Sequence, residues 1–249
     1  MRDALNRTGR PIFYAIHSDG KPWEAGSDSN GTVANMWRTG GDLSQMSYDM
    51  WLNRLDLATD QRMRKYVGPG SFANPDFLEV GYSPRNPKGG HVMSLKEQRA
   101  MFTMWAALPG PLILSADLRP GASCGGIDDP EVMKILTNRE VIAVNQDQGA
   151  MPMQPVRRMG GIEVWKKELV LNRLALVLFN RNASTVTSVN VQWEELGLPK
   201  GQRAQIRDLW NQTDMGEHIG GFDAAVGRHE ARIFTLAPVL TPNAIIKNG

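Results

Sequence analysis

The chain has 249 residues, with 28 Lys and Arg against 26 Asp and Glu, for a net charge of +2. That length can bury a full core in one large domain or two ordinary ones. So small a charge excess excludes an electrostatic case for nucleic acid or a membrane surface, and the longest apolar runs, Leu112–Leu114 and Leu174–Phe179, fall far short of a membrane span.

Cys124 is the single cysteine, which excludes an internal disulfide and a cysteine metal cluster. Histidines 17, 91, 218 and 229 form no pair with ligand spacing, so neither a metal nor a cofactor is expected. Met1-Arg-Asp-Ala-Leu has no apolar core of signal-peptide length. Asn6, Asn30, Asn182 and Asn211 each open an N-glycosylation pattern, which points only weakly to a secretory history. The oligomeric state stays unknown at this level.

In chain order, residues 1–10 read as a helix end with Leu5 as its apolar contact and Gly9 as its stop. Pro11-Ile-Phe-Tyr-Ala-Ile-His is a short apolar run of the kind found in buried strands, and a polar loop from Ser18 to Thr32 follows. Asn35-Met-Trp-Arg reads as a second strand, leaving Arg38 and Asp42 at its carboxyl end across a Thr-Gly-Gly bend. Ser47 to about Tyr66 predicts a single helix, with Met50, Trp51, Leu55, Leu57 and Ala58 on its apolar face. A third strand runs from Ser71 past Phe77 to Gly81. Ser94 with Glu97 spells a capping box for a helix whose Met101, Phe102, Met104, Trp105 and Leu108 face a core. Pro111-Leu-Ile-Leu-Ser-Ala predicts a fourth strand, and Asp129-Pro-Glu-Val a short final helix to about Leu136.

Apolar strands alternating with helices mean parallel strands, arranged either as an open doubly wound sheet or as part of an eight-fold barrel. A whole barrel takes about 250 residues, whereas this section stops near Asp147 with four units. Beyond Pro152 and Pro155, strand-sized runs at 161–166, 174–180, 188–193, 204–210 and 230–236 predict a small antiparallel β domain. The expected organisation is an α/β domain over 1–150, a β-sandwich over 151–240 and a tail over 241–249.

The predicted strand ends carry His17-Ser18-Asp19, Arg38 with Asp42, Asn74-Pro-Asp76-Phe77, and Asp117. In a βα barrel, such ends line the reactive rim. Carboxylates beside Trp23, Trp37 and Phe77 suit a sugar, whose hydroxyls need acceptors and whose C–H faces need flat apolar surfaces. Phosphate is disfavoured, because no Gly-rich loop with a Lys is present. An Arg and an Asp four residues apart are more commonly a surface ion pair. Asp117 reads first as a structural hydrogen-bonder.

These motifs resemble one family. Trp37-Arg-Thr-Gly-Gly-Asp42, Gly68-Pro-Gly, Pro75-Asp-Phe-Leu-Glu-Val-Gly81, Trp105-Ala-Ala with Pro111-Leu, Asp117-Leu-Arg119 and Val141-Ile-Ala-Val-Asn-Gln-Asp147 are similar, in order, to glycoside hydrolase family 27. This is the α-galactosidase/α-N-acetylgalactosaminidase (melibiase) group. Arg207-Asp-Leu-Trp210 and His229-Glu-Ala-Arg232 resemble its C-terminal β domain. The resemblance implies strands five to eight of a (β/α)8 TIM barrel, followed by an antiparallel β-sandwich. It implies hydrolysis of terminal α-D-galactosidic bonds with retention, by two carboxylates about 5–5.5 Å apart. Asp42 then corresponds to the general acid/base, and Arg38, Asp76, Phe77 and Ser18 to substrate-binding positions. A full-length form is expected to be secreted or vacuolar/lysosomal, acting on α-galactoside oligosaccharides and glycoconjugates.

The chain also departs from the family pattern. The nucleophile's Lys-Tyr-Asp-like motif is absent from these 249 residues, so the nucleophile is expected from a longer chain or a complementing one. His17-Ser18-Asp19 replaces Cys-Glu-Trp or Cys-Ser-Trp, with Ser18 where Ser marks N-acetylgalactosamine specificity. Asn74-Pro-Asp76 replaces Asp-Pro-Asp. The alternatives are an α-N-acetylgalactosaminidase-like specificity, or a non-catalytic carbohydrate-binding or vestigial protein.

Overall fold

The computed structural model describes residues 1–17, 33–43, 47–82, 93–119, 128–184 and 186–239. The chain divides into two compact units, Met1–Met153 and Gln154–Gly249.

The first unit opens with a short exposed helix, α1 (Arg2–Asn6), and then lays three short strands side by side: β1 (Ala15–Ile16), β2 (Met36–Arg38) and β3 (Phe72–Asn74). They are parallel in the order β1-β2-β3, with Ala15 beside Met36, Met36 beside Phe72 and Arg38 beside Asn74. The predicted fourth strand contributes one parallel bridge, Leu78 to Leu114. Its Pro111 lacks a donor, and its pairing rests on Leu78 N to Ile113 O (2.7 Å) and Ser115 N to Leu78 O (3.1 Å). Because side chains alternate across a strand, Trp37 and Ala73 share one face, and they pack there with Met63, Tyr66 and Val67. Met36, Arg38, Phe72 and Asn74 share the other. On that face Phe13 stacks on Phe72 at 6.4 Å, and a cleft of about 600 Å3 opens between Phe13, Met36, Phe72, Ile113 and the 145–148 segment.

The single helix expected over 47–66 is two, α2 (Tyr48–Ala58) and α3 (Gln61–Arg64). Asp60 breaks the run by turning its carboxylate onto the Arg62 amide at 2.8 Å, so it caps α3 instead of extending α2. Trp51, Leu55 and Ala58 are buried as the spacing implies, but Leu57 is exposed. Helix α4 (Leu95–Ala107) has its capping box, with Ser94 and Glu97 satisfying each other's end of the helix. Such a cap contributes about 1 kcal/mol. From Ala100 to Ala107 every residue of α4 is buried, with Trp105 edge-on to Trp51 at 6.0 Å. After α5 (Pro130–Leu136) comes a helix not anticipated, α6 (Arg139–Asn145), capped by Asn138 onto the Glu140 and Val141 amides.

The second unit is a β-sandwich. Its larger antiparallel sheet has six strands: β4 (Gln154–Met159), β5 (Ile162–Leu169), β6 (Arg173–Asn180), β8 (Arg203–Asp208), β9 (Thr213–Ile219) and β11 (Ala231–Pro238), in the order β4-β5-β6-β11-β8-β9. The smaller pairs β7 (Thr187–Gln192) with β10 (Gly221–Val226). Leu176, Leu178, Ile206, Phe234 and Leu236 from the first sheet meet Val189, Val191, Phe222 and Val226 from the second in one core. Strands β4, β9 and β10 were not anticipated. Pro155 sits at a register shift on the edge strand β4, where a missing donor is tolerated.

Candidate active site

The site grows out of the carboxyl end of β2. Arg38 is the last strand residue, and the chain then bends through Thr39-Gly40-Gly41 to Asp42. Helix α2 presses on this bend. A Cβ at Gly40 would lie 2.8 Å from Leu57 Cδ1 and 3.2 Å from Arg54 Cδ, so the bend takes the smallest residue. Arg54 reaches over it, donating from Nε to Gly41 O at 2.6 Å and from Nη2 to Asp42 O at 3.4 Å.

Arg38 Nη2 is the centre of the polar cluster. It donates to Asp76 Oδ2 at 2.8 Å, to Asp42 Oδ1 at 3.1 Å and to Gly40 O at 3.2 Å. The guanidinium side chain is 15% exposed, Asp76 7% and Asp42 77%. One arginine therefore joins two carboxylates of opposite character, one enclosed and one standing in solvent.

Asp76 lies just beyond β3. Its Oδ2 also accepts the Leu43 amide at 2.6 Å, and its Oδ1 accepts the Phe77 amide at 2.8 Å. The backbone there has φ +111°, uncommon for a residue with a Cβ. Asn74 Oδ1 accepts the Asp76 amide at 2.9 Å, and the Trp105 indole N–H donates to Asp76 O at 3.0 Å. Asn74 is itself buried, so its neutral amide makes this turn without burying a second charge. Phe77 turns outward and is 45% exposed beside the cluster.

Four of the anticipated residues, Arg38, Asp42, Asp76 and Phe77, thus fall within one cluster at the ends of β2 and β3. Ser18 lies outside the described residues, as do Asp19 and Trp23. Trp37, expected as a sugar platform, is wholly buried on the opposite face with its indole N–H on Ser71 Oγ at 3.2 Å. Alternation explains this, since Trp37 must point away from Arg38. Asp117 pairs with Arg119 two residues on, at 2.6 Å, and the carboxylate holds that guanidinium pKa above its usual value. Arg54 and Leu43 support the cluster without having been anticipated; Asn74, expected at a strand end, and Trp105, expected only in the core, support it too. Arg54 is half-buried on α2, and nothing in its neighbours Leu52, Asn53, Leu55 and Asp56 separates it in the sequence from a solvated side chain. Among the described residues no group of three or more His, Cys, Asp and Glu side chains could hold a metal ion.

The family profile described as Alpha galactosidase A matches residues 1–147. The chain belongs to glycoside hydrolase family 27. The profile of the Alpha galactosidase C-terminal beta sandwich domain matches residues 159–236, within the second unit. An α-galactosidase of Cyamopsis tetragonoloba is 33% identical over 239 residues, covering 96% of this chain and 53% of that protein. A probable α-galactosidase of Dictyostelium discoideum is 34% identical over 246 residues, covering 96% and 57%. An α-N-acetylgalactosaminidase of Gallus gallus is 29% identical over 218 residues, covering 85% and 50%. Among solved structures of the family, α-galactosidase I from Mortierella vinacea matches with a TM-score of 0.78 at 27% identity, covering 95% of this chain and 61% of that one. A family 27 β-L-arabinopyranosidase from Geobacillus stearothermophilus matches with a TM-score of 0.80 at 25% identity, covering 96% and 53%. The chain spans about half the length of the curated relatives it matches.

Proposed function

We propose that this chain carries the acid/base side of a retaining α-galactosidase whose nucleophile comes from outside these 249 residues. The observation that carries the reading is Asp42: an exposed carboxylate just past a parallel-strand end, hydrogen-bonded to an arginine that also holds a buried carboxylate. In the first step, Asp42 gives its proton to the glycosidic oxygen as that bond breaks, while a nucleophilic carboxylate bonds to the anomeric carbon. In the second, Asp42 takes a proton from water, and the water oxygen displaces the enzyme carboxylate to release galactose. Arg38 supplies donors for sugar or carboxylate oxygens, and Phe77 a flat surface for the C–H face of the ring.

The parallel strands β1 to β3 with the Leu78–Leu114 bridge are, in this reading, strands five to eight of a (β/α)8 barrel. The cleft lined by Phe13, Met36, Phe72 and Ile113 supports that, because Phe13 and Ile113 stand exposed there among the described residues, apolar side chains of the kind that fill a barrel interior. A second reading keeps the mechanism and changes the sugar: Ser18 favours N-acetylgalactosamine.

Nitrophenyl α-galactoside tests the proposal. The purified chain alone should hydrolyse it no faster than buffer. The chain supplied with the other four strands and their carboxylate should turn it over, and Asp42→Asn should remove most of that rate. Turnover by the chain alone, abolished by Asp42→Asn, would overturn the assignment of the nucleophile to residues outside it. Faster cleavage of the N-acetylgalactosaminide would select the second sugar.

A further inference from the structure

Asp76 was read from the sequence as a sugar-binding residue, yet its carboxylate is too enclosed for that task. Oδ2 holds the Arg38 guanidinium and the Leu43 amide, Oδ1 holds the Phe77 amide, and 7% of the side chain remains exposed. A sugar hydroxyl entering here would displace a charge-assisted bond and gain a weaker one. The backbone is equally committed. A non-glycine residue at φ +111° persists only where its surroundings over-determine it, and Asn74, Trp105 and the carboxylate's own bonds do so.

We propose that Asp76 is a positioning residue, which through Arg38 and the Leu43 amide fixes the segment carrying Asp42 and makes no contact with sugar. This rests on the reading of Asp42 as the acid/base. Among the described residues Arg38 Nη2 has three acceptors for its two hydrogens, and the shortest of these bonds goes to the buried carboxylate. The bond to Asp42 is longer and lies in water, where an ion pair is weak. Asp76, not Asp42, therefore sets where Arg38 stands. Leu43 follows Asp42 directly, so the hydrogen bond its backbone N–H donates to Asp76 Oδ2 pins the backbone on one side of the acid/base residue. Arg54 on Gly41 O pins the other. The Asp42 backbone is clamped between two anchors, while its carboxylate keeps the freedom to leave Arg38 for a substrate oxygen.

Hydrogen exchange on the isotopically labelled 249-residue chain tests this without turnover. Asp76→Asn brings an amide donor towards groups that now donate to a carboxylate. Exchange at the Leu43 amide and the Arg38 guanidinium should quicken by about tenfold or more, with α4 amides unchanged. Asp42→Asn should alter the same protons by no more than about twofold. Parent rates in a folded Asp76→Asn chain would overturn the proposal. Should that variant not fold, Asp76→Glu, which keeps the charge on a longer stem, must still move the Leu43 amide resonance and its exchange rate; unchanged values count against the proposal equally. In the assembled enzyme, Asp76→Asn should lower kcat about tenfold or more with KM held within about threefold. A raised KM with kcat intact would make Asp76 a sugar ligand and overturn the positioning role. Absence of hydrolysis in the unmutated assembly would instead count against the acid/base reading, and the exchange data would still decide the part played by Asp76.

Discussion

Removing the cation from the Arg38–Asp76 pair gives the sharpest energetic test of the site. Arg38→Met keeps much of the stem's volume and deletes the guanidinium, leaving Asp76 largely out of water with two amide donors and no counter-charge. Breaking a buried pair from one side costs about 3–5 kcal/mol. The Leu43 and Phe77 amides still solvate the carboxylate, so the expected loss sits near the lower bound, about 3 kcal/mol. Against a domain stability of roughly 5–15 kcal/mol, that is a substantial fraction. Asp42→Asn, by contrast, should cost under about 1 kcal/mol, because its carboxylate is mostly in solvent. The measurement is urea unfolding followed by residue-resolved amide intensities in α4, which isolates the first unit from the sandwich. The double variant Arg38→Met/Asp76→Asn should then lose less than the sum of the two singles, by about 1–3 kcal/mol. A single-variant loss under about 1 kcal/mol, or strict additivity, would show that the two charges do not depend on each other.

Two further outcomes are expected. Asn145 donates from one Nδ2 to Leu108 O at 2.9 Å and Gly110 O at 2.8 Å, joining α6 to the exit of α4, so Asn145→Ala should destabilise the first unit by about 1–3 kcal/mol in the same urea experiment. The Asp60 pKa lies below its ordinary 3.8 because of its hydrogen bonds to the Arg62 side chain and amide. A lowered carboxylate contributes stability above the unfolded-state value and loses it as pH falls through the folded one. The α3 amides should therefore loosen below pH 3.8, by less than about 1 kcal/mol given the exposed partner, and Asp60→Asn should remove that pH dependence.

Much of this was legible in the residues, for identifiable reasons. Ser94 and Glu97 declare the start of α4 because both partners of a capping box are local, and the strand-end placing of Arg38 and Asp42 follows from where the apolar run stops. What escaped was set by distant partners. Helix α6 is short, and its cap, Asn138, is a single polar residue. Strand β9 is exposed along nearly all its length and carries no alternation, while β10 alternates through small alanines. The burial of Trp37 and the enclosure of Asp76 depend on which face of β2 looks towards α3, and on an indole from α4 arriving beside the turn after β3. The family resemblance marked Asp76 as a site position; only geometry separates holding the site from touching the substrate.

The order of strands in the sandwich has a consequence for how the protein is made. β11, the last strand among the described residues, lies between β6 and β8 and hydrogen-bonds to both. Until the ribosome has released residues 231–238, the six-stranded sheet is two separated pieces, each with a bare edge facing the gap. The second unit cannot close progressively during synthesis and must wait for its final strand. A chain cut after Glu230 would leave that gap permanent, so residues 231–238 decide whether the six-stranded sheet forms as one.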